Sequence, residues 1–113
     1  MSREIAESLQ DILDNIAIAR QFVTGQTFEG FETDTRTIYA VTRAIEIVGE
    51  AAKNVSDDLR NRYPSVPWRS IAGMRDKIVH HYFGVNTRVL WDTVQDDLPK
   101  LEPLISQILQ ELQ

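Results

Sequence analysis

Apolar residues recur along this chain at steps of three and four, and no stretch alternates with the period of a strand. In the first segment Ile5, Leu9, Ile12, Ile16, Ala19 and Val23 form one stripe, which predicts a helix over residues 2–23 closed by Gly25. The connector TGQTFEGFETD is rich in turn formers, and Thr33 or Asp34 offers a side-chain oxygen to cap the next helix. There Ile38, Val41, Ile45, Gly49 and Ala52 make a second stripe that ends near Val55. Small residues at 49 and 52 on a buried face predict the close approach of another helix. Pro64 and Pro67 interrupt SDDLRNRYPSVP, leaving a short helical turn from Asp57 to Arg62 and a third helix that starts near Trp68, with Pro67 in its first turn. Asn86 or Thr87 caps a fourth, whose apolar positions Val89, Leu90, Val94 and Leu98 continue through Leu101, Leu104, Ile105, Ile108 and Leu112. Pro99 kinks or restarts it. The prediction is all-α: one antiparallel four-helix bundle over residues 1–113, with an extra short helix and a kinked last helix.

Composition narrows the setting. A chain of 113 residues, 42% hydrophobic and 26% charged, suits one folded core and is too short for two. It has no cysteine, which excludes disulfide scaffolds, thiolate metal sites and cysteine nucleophiles. The start MSREIAESLQD lacks a basic residue cluster followed by an apolar run, and nothing approaches the roughly 18 apolar residues of a membrane helix. The expectation is a soluble cytoplasmic domain.

A net charge of −5 argues against gripping nucleic acid by bulk neutralisation of phosphates. The charge is uneven, however. Arg60, Arg62, Arg69, Arg75, Lys77 and Arg88 face a single acid, Asp76, within residues 60–88, while the rest of the chain holds six basic and sixteen acidic residues. The cluster is either a solvated basic face or a local anion site on an acidic body.

The third helix contains a conflict. Trp68, Ile71, Arg75, Ile78 and Tyr82 fall on one stripe, so an arginine sits on the apolar face. Guanidinium cannot shed its charge, and Arg75 therefore needs a carboxylate such as Glu46 or Glu50, a crevice, or a subunit interface. His80 lies five residues on, which on an unbroken helix turns it about 140° away from Arg75. Gly84 is of the type that ends helices, so the last turn can loosen and swing the imidazole back. Asp76, four residues before His80, is placed to accept a hydrogen bond from its ring and raise its basicity. The pair His80 and His81 makes a poor metal site, because adjacent side chains diverge and no other histidine or cysteine exists; no metal or cofactor is expected. Tyr82 reads equally as a core residue with its hydroxyl at the edge.

Arg75, four residues, His80, one residue and Tyr82 match the Arg-x4-His-x-Tyr signature of the HEPN superfamily, and RDKIVHHYFG resembles the HepT-like toxins within it. The resemblance extends to IVGEAAKNV, PSVPWRSIAGMRD and VLWDTVQDDLP, and so to essentially the whole chain. It implies the toxin of a toxin–antitoxin module: a homodimer with its motif in a cleft at the dimer interface, paired with a minimal nucleotidyltransferase as antitoxin. It also implies a metal-independent endoribonuclease in which Arg75 and His80 are catalytic. His81 fills the variable position and inherits no role. Tyr82 matches the tyrosine to which the partner attaches adenylate. An acidic and a basic residue on an earlier helix belong to the site in some relatives, and Glu46 or Glu50 with Lys53 are the candidates here.

The residue types suit this chemistry. Cutting RNA without a metal needs a base for the ribose 2′-hydroxyl and a cation for the charge gathering at phosphorus, roles open to His80 and Arg75. The competing reading is a helical dimerisation module without catalysis, which serves as partner or modification substrate of a nucleotidyltransferase.

Overall fold

The structure, a computed structural model, describes residues 3–80 and 84–113, excluding the side chains of Arg3 and His80. Helix α1 (Arg3–Val23) and helix α3 (Thr35–Lys53) pack along each other and form the centre of the molecule. The fully buried side chains Leu9, Ile12 and Ile16 of α1 meet Val41, Ile45 and Val48 of α3, the stripes that three- and four-residue spacing marks out. Helix α8 (Leu98–Leu112) lies on α1 and adds Leu98, Ile105 and Ile108 to the same core. The short helix α4 (Asp57–Arg62) forms where the prolines leave room for it, capped by Ser56, whose Oγ accepts from the Leu59 N–H at 3.3 Å. The described residues are all-α apart from one two-residue ladder, and no helix among them is long and apolar enough to cross a membrane.

Of the two candidates for the cap of α3, Asp34 takes the role. Its Oδ1 accepts from the Thr37 N–H at 3.2 Å and its Oδ2 from the Thr37 hydroxyl at 2.7 Å. The Thr37 hydroxyl, then the Thr37 N–H and the Gln26 amide, hold the Asp34 carboxyl below its ordinary range. The connector before it is not all turn, because Phe28–Glu32 forms a one-turn helix, α2, capped by Thr27. Its Phe31 is buried 5.2 Å from the Trp91 ring, an interaction distant in sequence that glycine-rich composition conceals.

The third helix differs most from expectation. It is two helices of five residues, α5 (Trp68–Ala72) and α6 (Met74–Ile78), separated at Gly73. The chain then turns extended into β1 (Val79–His80), which pairs antiparallel with β2 (Gly84–Val85) in the register Val79–Val85 and His80–Gly84. The period-two pattern that marks a strand cannot show in a ladder of two residues. The fourth helix begins as α7 (Thr87–Asp92) under an Asn86 cap and widens into a π turn over Thr93–Asp97, where the Leu98 N–H reaches back five residues to the Thr93 carbonyl. The widening has a cause in Pro99, whose ring would collide with the carbonyl four residues back in a regular helix.

The approach foreseen for Gly49 is present. A Cβ at that position would lie 3.3 Å from the Ala72 carbonyl oxygen and 3.4 Å from that of Ile71, so α5 rests its C-terminal carbonyls directly on α3. Gly49→Val should cost about 1–3 kcal/mol of stability by overpacking this contact. The urea midpoint should fall at constant m-value, and an unchanged midpoint would contradict the seating of α5 on α3.

Candidate active site

Because α5 is fixed on α3 and ends at Gly73, α6 starts with a new phase. Trp68, Ile71 and Ile78 point into the core, and Arg75 does not. Its side chain is 50% exposed, with Nε 3.9 Å from Glu46 Oε1 and Nη1 3.7 Å from Asp76 Oδ1. This corrects the expectation of an arginine on the buried stripe, which assumed one continuous helix through Tyr82. Of the two glutamates considered, Glu46 is the partner, and the pair is not buried. Glu50 instead lies 3.8 Å from Arg43 Nη1, and Lys53 ends α3 exposed.

Glu46 is shared. Its Oε2 accepts a hydrogen bond from Arg43 Nη1 at 3.3 Å, while its other oxygen faces Arg75 across a gap too long for a hydrogen bond. Arg43, three residues earlier on α3, has a place in the site that its spacing from Glu46 could have signalled. Among the described residues, Arg75 makes no hydrogen bond through its guanidinium: it is oriented by two carboxylates, and its donor fork is free for another acceptor.

His80 is carried by β1 and not by a helix, so the angle of about 140° separating it from Arg75 on a regular helix no longer applies. The helix ends at Ile78, two residues earlier than the expected loosening near His80. Gly84 ends no helix; it sits at φ +79 in the ladder, a conformation that L side chains rarely adopt, and stands opposite His80. The Asn86 N–H donates to the Ile78 carbonyl at 2.7 Å, which ties the end of α6 to the cap of α7. His81 and Tyr82 lie outside the described residues, as does the imidazole of His80. The expected Asp76–His80 hydrogen bond therefore falls outside them too; the described partner of Asp76 is Arg75, and its carboxylate is 79% exposed. Among the described residues, no group of three or more His, Asp or Glu is placed to hold a metal ion.

The model of a family described as Ribonuclease HepT-like matches residues 12–108, a span that includes the entire motif and reaches from α1 into α8. The chain belongs to the HepT-like ribonuclease family. Among the family's named members, a "Probable ribonuclease HepT" of Thermococcus cleftensis is 46% identical over 102 residues, covering 90% of this chain and 93% of its own. A "Putative RNase" of Methanocaldococcus jannaschii is 39% identical over 111 residues, or 98% of this chain and 92% of its own. Another of that name, from Caldanaerobacter subterraneus, is 43% identical over 103 residues, with coverage of 91% and 92%. No solved structure matches the chain.

In a HepT-like ribonuclease built this way, the motif arginine lies outside the core. Arg75→Ala should lower stability by less than about 1 kcal/mol, the range of exposed ion pairs. Breaking a buried pair would cost about 3–5 kcal/mol, and a loss of that size in urea unfolding would return Arg75 to a structural role.

Proposed function

We propose that this protein is a metal-independent endoribonuclease and the toxin of a toxin–antitoxin module. The observation that carries the reading is the state of Arg75: half exposed, steered by Glu46 and Asp76, and with its hydrogen-bond donors unused among the described residues. A guanidinium in that state is suited to bind a phosphodiester. His80 stands on a strand that begins directly after the helix carrying Arg75. Imidazole is the side chain that exchanges a proton near neutrality.

In the proposed reaction His80 takes the proton of a ribose 2′-hydroxyl, and the freed oxygen attacks the adjacent phosphorus. Arg75 holds the charge that builds on the phosphoryl oxygens. As the bond to the 5′-oxygen breaks, that oxygen takes a proton from a second imidazole, supplied by the other copy in a homodimer. The products are a 2′,3′-cyclic phosphate and a 5′-hydroxyl. The half exposure of Arg75 weighs against the non-catalytic dimerisation module, which would hold this arginine in a closed ion pair.

His80→Ala should reduce RNA cleavage by about 10²–10⁴-fold at unchanged fold, and His81→Ala far less. The parent chain should keep its activity in EDTA and scatter light as a dimer of the 12.9 kDa chain. Equal losses from both histidine variants, inhibition by the chelator, or a monomer would each contradict the assignment.

The antitoxin in this reading is a minimal nucleotidyltransferase that transfers adenylate to Tyr82. The bond formed joins the tyrosyl oxygen to the α-phosphorus of ATP, pyrophosphate leaves, and the phenolic proton is lost. The added phosphodiester brings one negative charge seven residues from Arg75, where it competes with the substrate phosphate for the guanidinium. Co-expression with the partner should add adenylate to the mass of the parent and none at residue 82 of Tyr82→Phe. A partner that neutralises both chains equally, with no adduct on the parent, would act by covering the cleft.

A further inference from the structure

Helix α6 presents Arg75 toward α3, and on its other side it does not close against α8. A cavity of about 310 Å³ separates them, within the size range of small-ligand sites. Its floor is apolar: Ile71 and Leu101 are buried, and Met74 and Leu104 half-buried. At its edge stand Lys77 of α6 and Lys100 of α8, both exposed and neither with an ion-pair partner among the described residues. What sets them apart is that both line one apolar opening, in a chain of net charge −5.

Besides the lysines, the polar lining residues are Ser70, Thr93 and Asp97, and the Thr93 hydroxyl already donates to the Val89 carbonyl at 2.7 Å. Asp97 is the last residue of the π turn and lines the cavity. Burial passes from Val94 to Leu98 across three exposed residues, so the widened turn carries the stripe forward and leaves Asp97 outside the core.

We infer that this cavity is a subsite for one nucleobase of single-stranded RNA, with Lys77 and Lys100 on the flanking phosphates; the inference rests on the ribonuclease reading. Each part of the site matches a part of a nucleotide. Apolar walls accept the faces of a base, and lysines accept its phosphates. A carboxylate accepts from an exocyclic amine, which adenine, cytosine and guanine carry and uracil lacks. The carboxylate also counts against a fatty acid, whose head group it would repel. Met74 and Lys77 bracket Arg75 on a helix only five residues long, or about 7.5 Å, so a strand held in the cavity is within reach of the arginine around that helix. The subsite would favour amino-bearing bases beside the cleaved bond.

The test is binding of labelled single-stranded oligonucleotides to the His80→Ala chain, followed by fluorescence anisotropy so that no cleavage is required. Oligo(A) and oligo(C) should bind about tenfold more tightly than oligo(U) or strands with abasic positions. Replacing Lys77 and Lys100 together by alanine should flatten the dependence of log K on log salt by about 1.4, or about 0.7 for each phosphate that is no longer neutralised. Ser70→Trp and Leu104→Trp, which fill the cavity, should erase the difference between intact and abasic strands. Should both filled variants fail to fold, Asp97→Ala at its exposed position, which removes the acceptor oxygens, should still remove the discrimination against uracil.

Equal binding of all strands by the His80→Ala chain overturns the subsite, as does a base preference that survives the filled variants or Asp97→Ala. Filled variants that lose only the nucleotidyltransferase partner overturn it too, since the cavity would then belong to a protein interface. Base-blind binding in a chain that cuts RNA removes the subsite and leaves the ribonuclease. Base-dependent, salt-sensitive binding in a parent chain that cuts nothing does the reverse.

Discussion

The contact between Gly49 and the last carbonyls of α5 sets the position of everything that follows it in the chain. A side chain there would meet two backbone oxygens at 3.3 and 3.4 Å, and backbone cannot rotate aside as the end of a flexible side chain does. With glycine, α5 lies close on α3, Gly73 interrupts the helix, and α6 starts in a phase that turns Arg75 outward beside Glu46. The ladder then fixes where the chain goes next, because the Ile78 carbonyl is committed to the Asn86 N–H. The site thus depends on a backbone approach between two helices, neither of which carries His80.

Electrostatics complete what packing begins. Glu46 divides its two oxygens between Arg43 and Arg75, and holds the first by a hydrogen bond and the second only by attraction. An anion arriving at Arg75 therefore displaces no hydrogen bond that the guanidinium makes among the described residues, while the shared carboxylate biases the half-exposed side chain toward α3. The acidic body around this basic segment gives long-range repulsion toward RNA. Affinity must then come from local contacts, which is a reason to expect more than one of them.

The long helices were legible because burial and period agree. Stripes through α1, α3 and α8 are the buried residues, and the spacing that predicts Gly49 as a contact point depends on the same regularity. The region from Trp68 to Asn86 was legible in content and not in shape. A continuous helix aligns Trp68, Ile71, Arg75, Ile78 and Tyr82, but one glycine at position 73 resets the phase, and two residues per strand are too few to announce a ladder. The charge of Arg75 correctly signalled a conflict with burial, and the fold resolves it by exposure instead of by a buried pair. Helix α2 escaped notice because the burial of Phe31 is decided by Trp91, sixty residues away in sequence. The π turn escaped because Pro99 fits the start of a new helix equally well.

The loose pairing of Arg75 separates the inheritance of shape from the inheritance of chemistry. Where a functional arginine is locked inside a core, selection for folding preserves it, and a chain that loses it is cleared by proteolysis. Here the guanidinium is half in water, with its nearest carboxylate oxygens 3.7 and 3.9 Å away, so folding exerts little hold on it. Under the proposed reaction, a single codon change at Arg75 would silence the chain while its descendants keep the same core. On that proposal, inert copies of this protein would persist as folded molecules, and only selection on the reaction itself would keep the arginine in place.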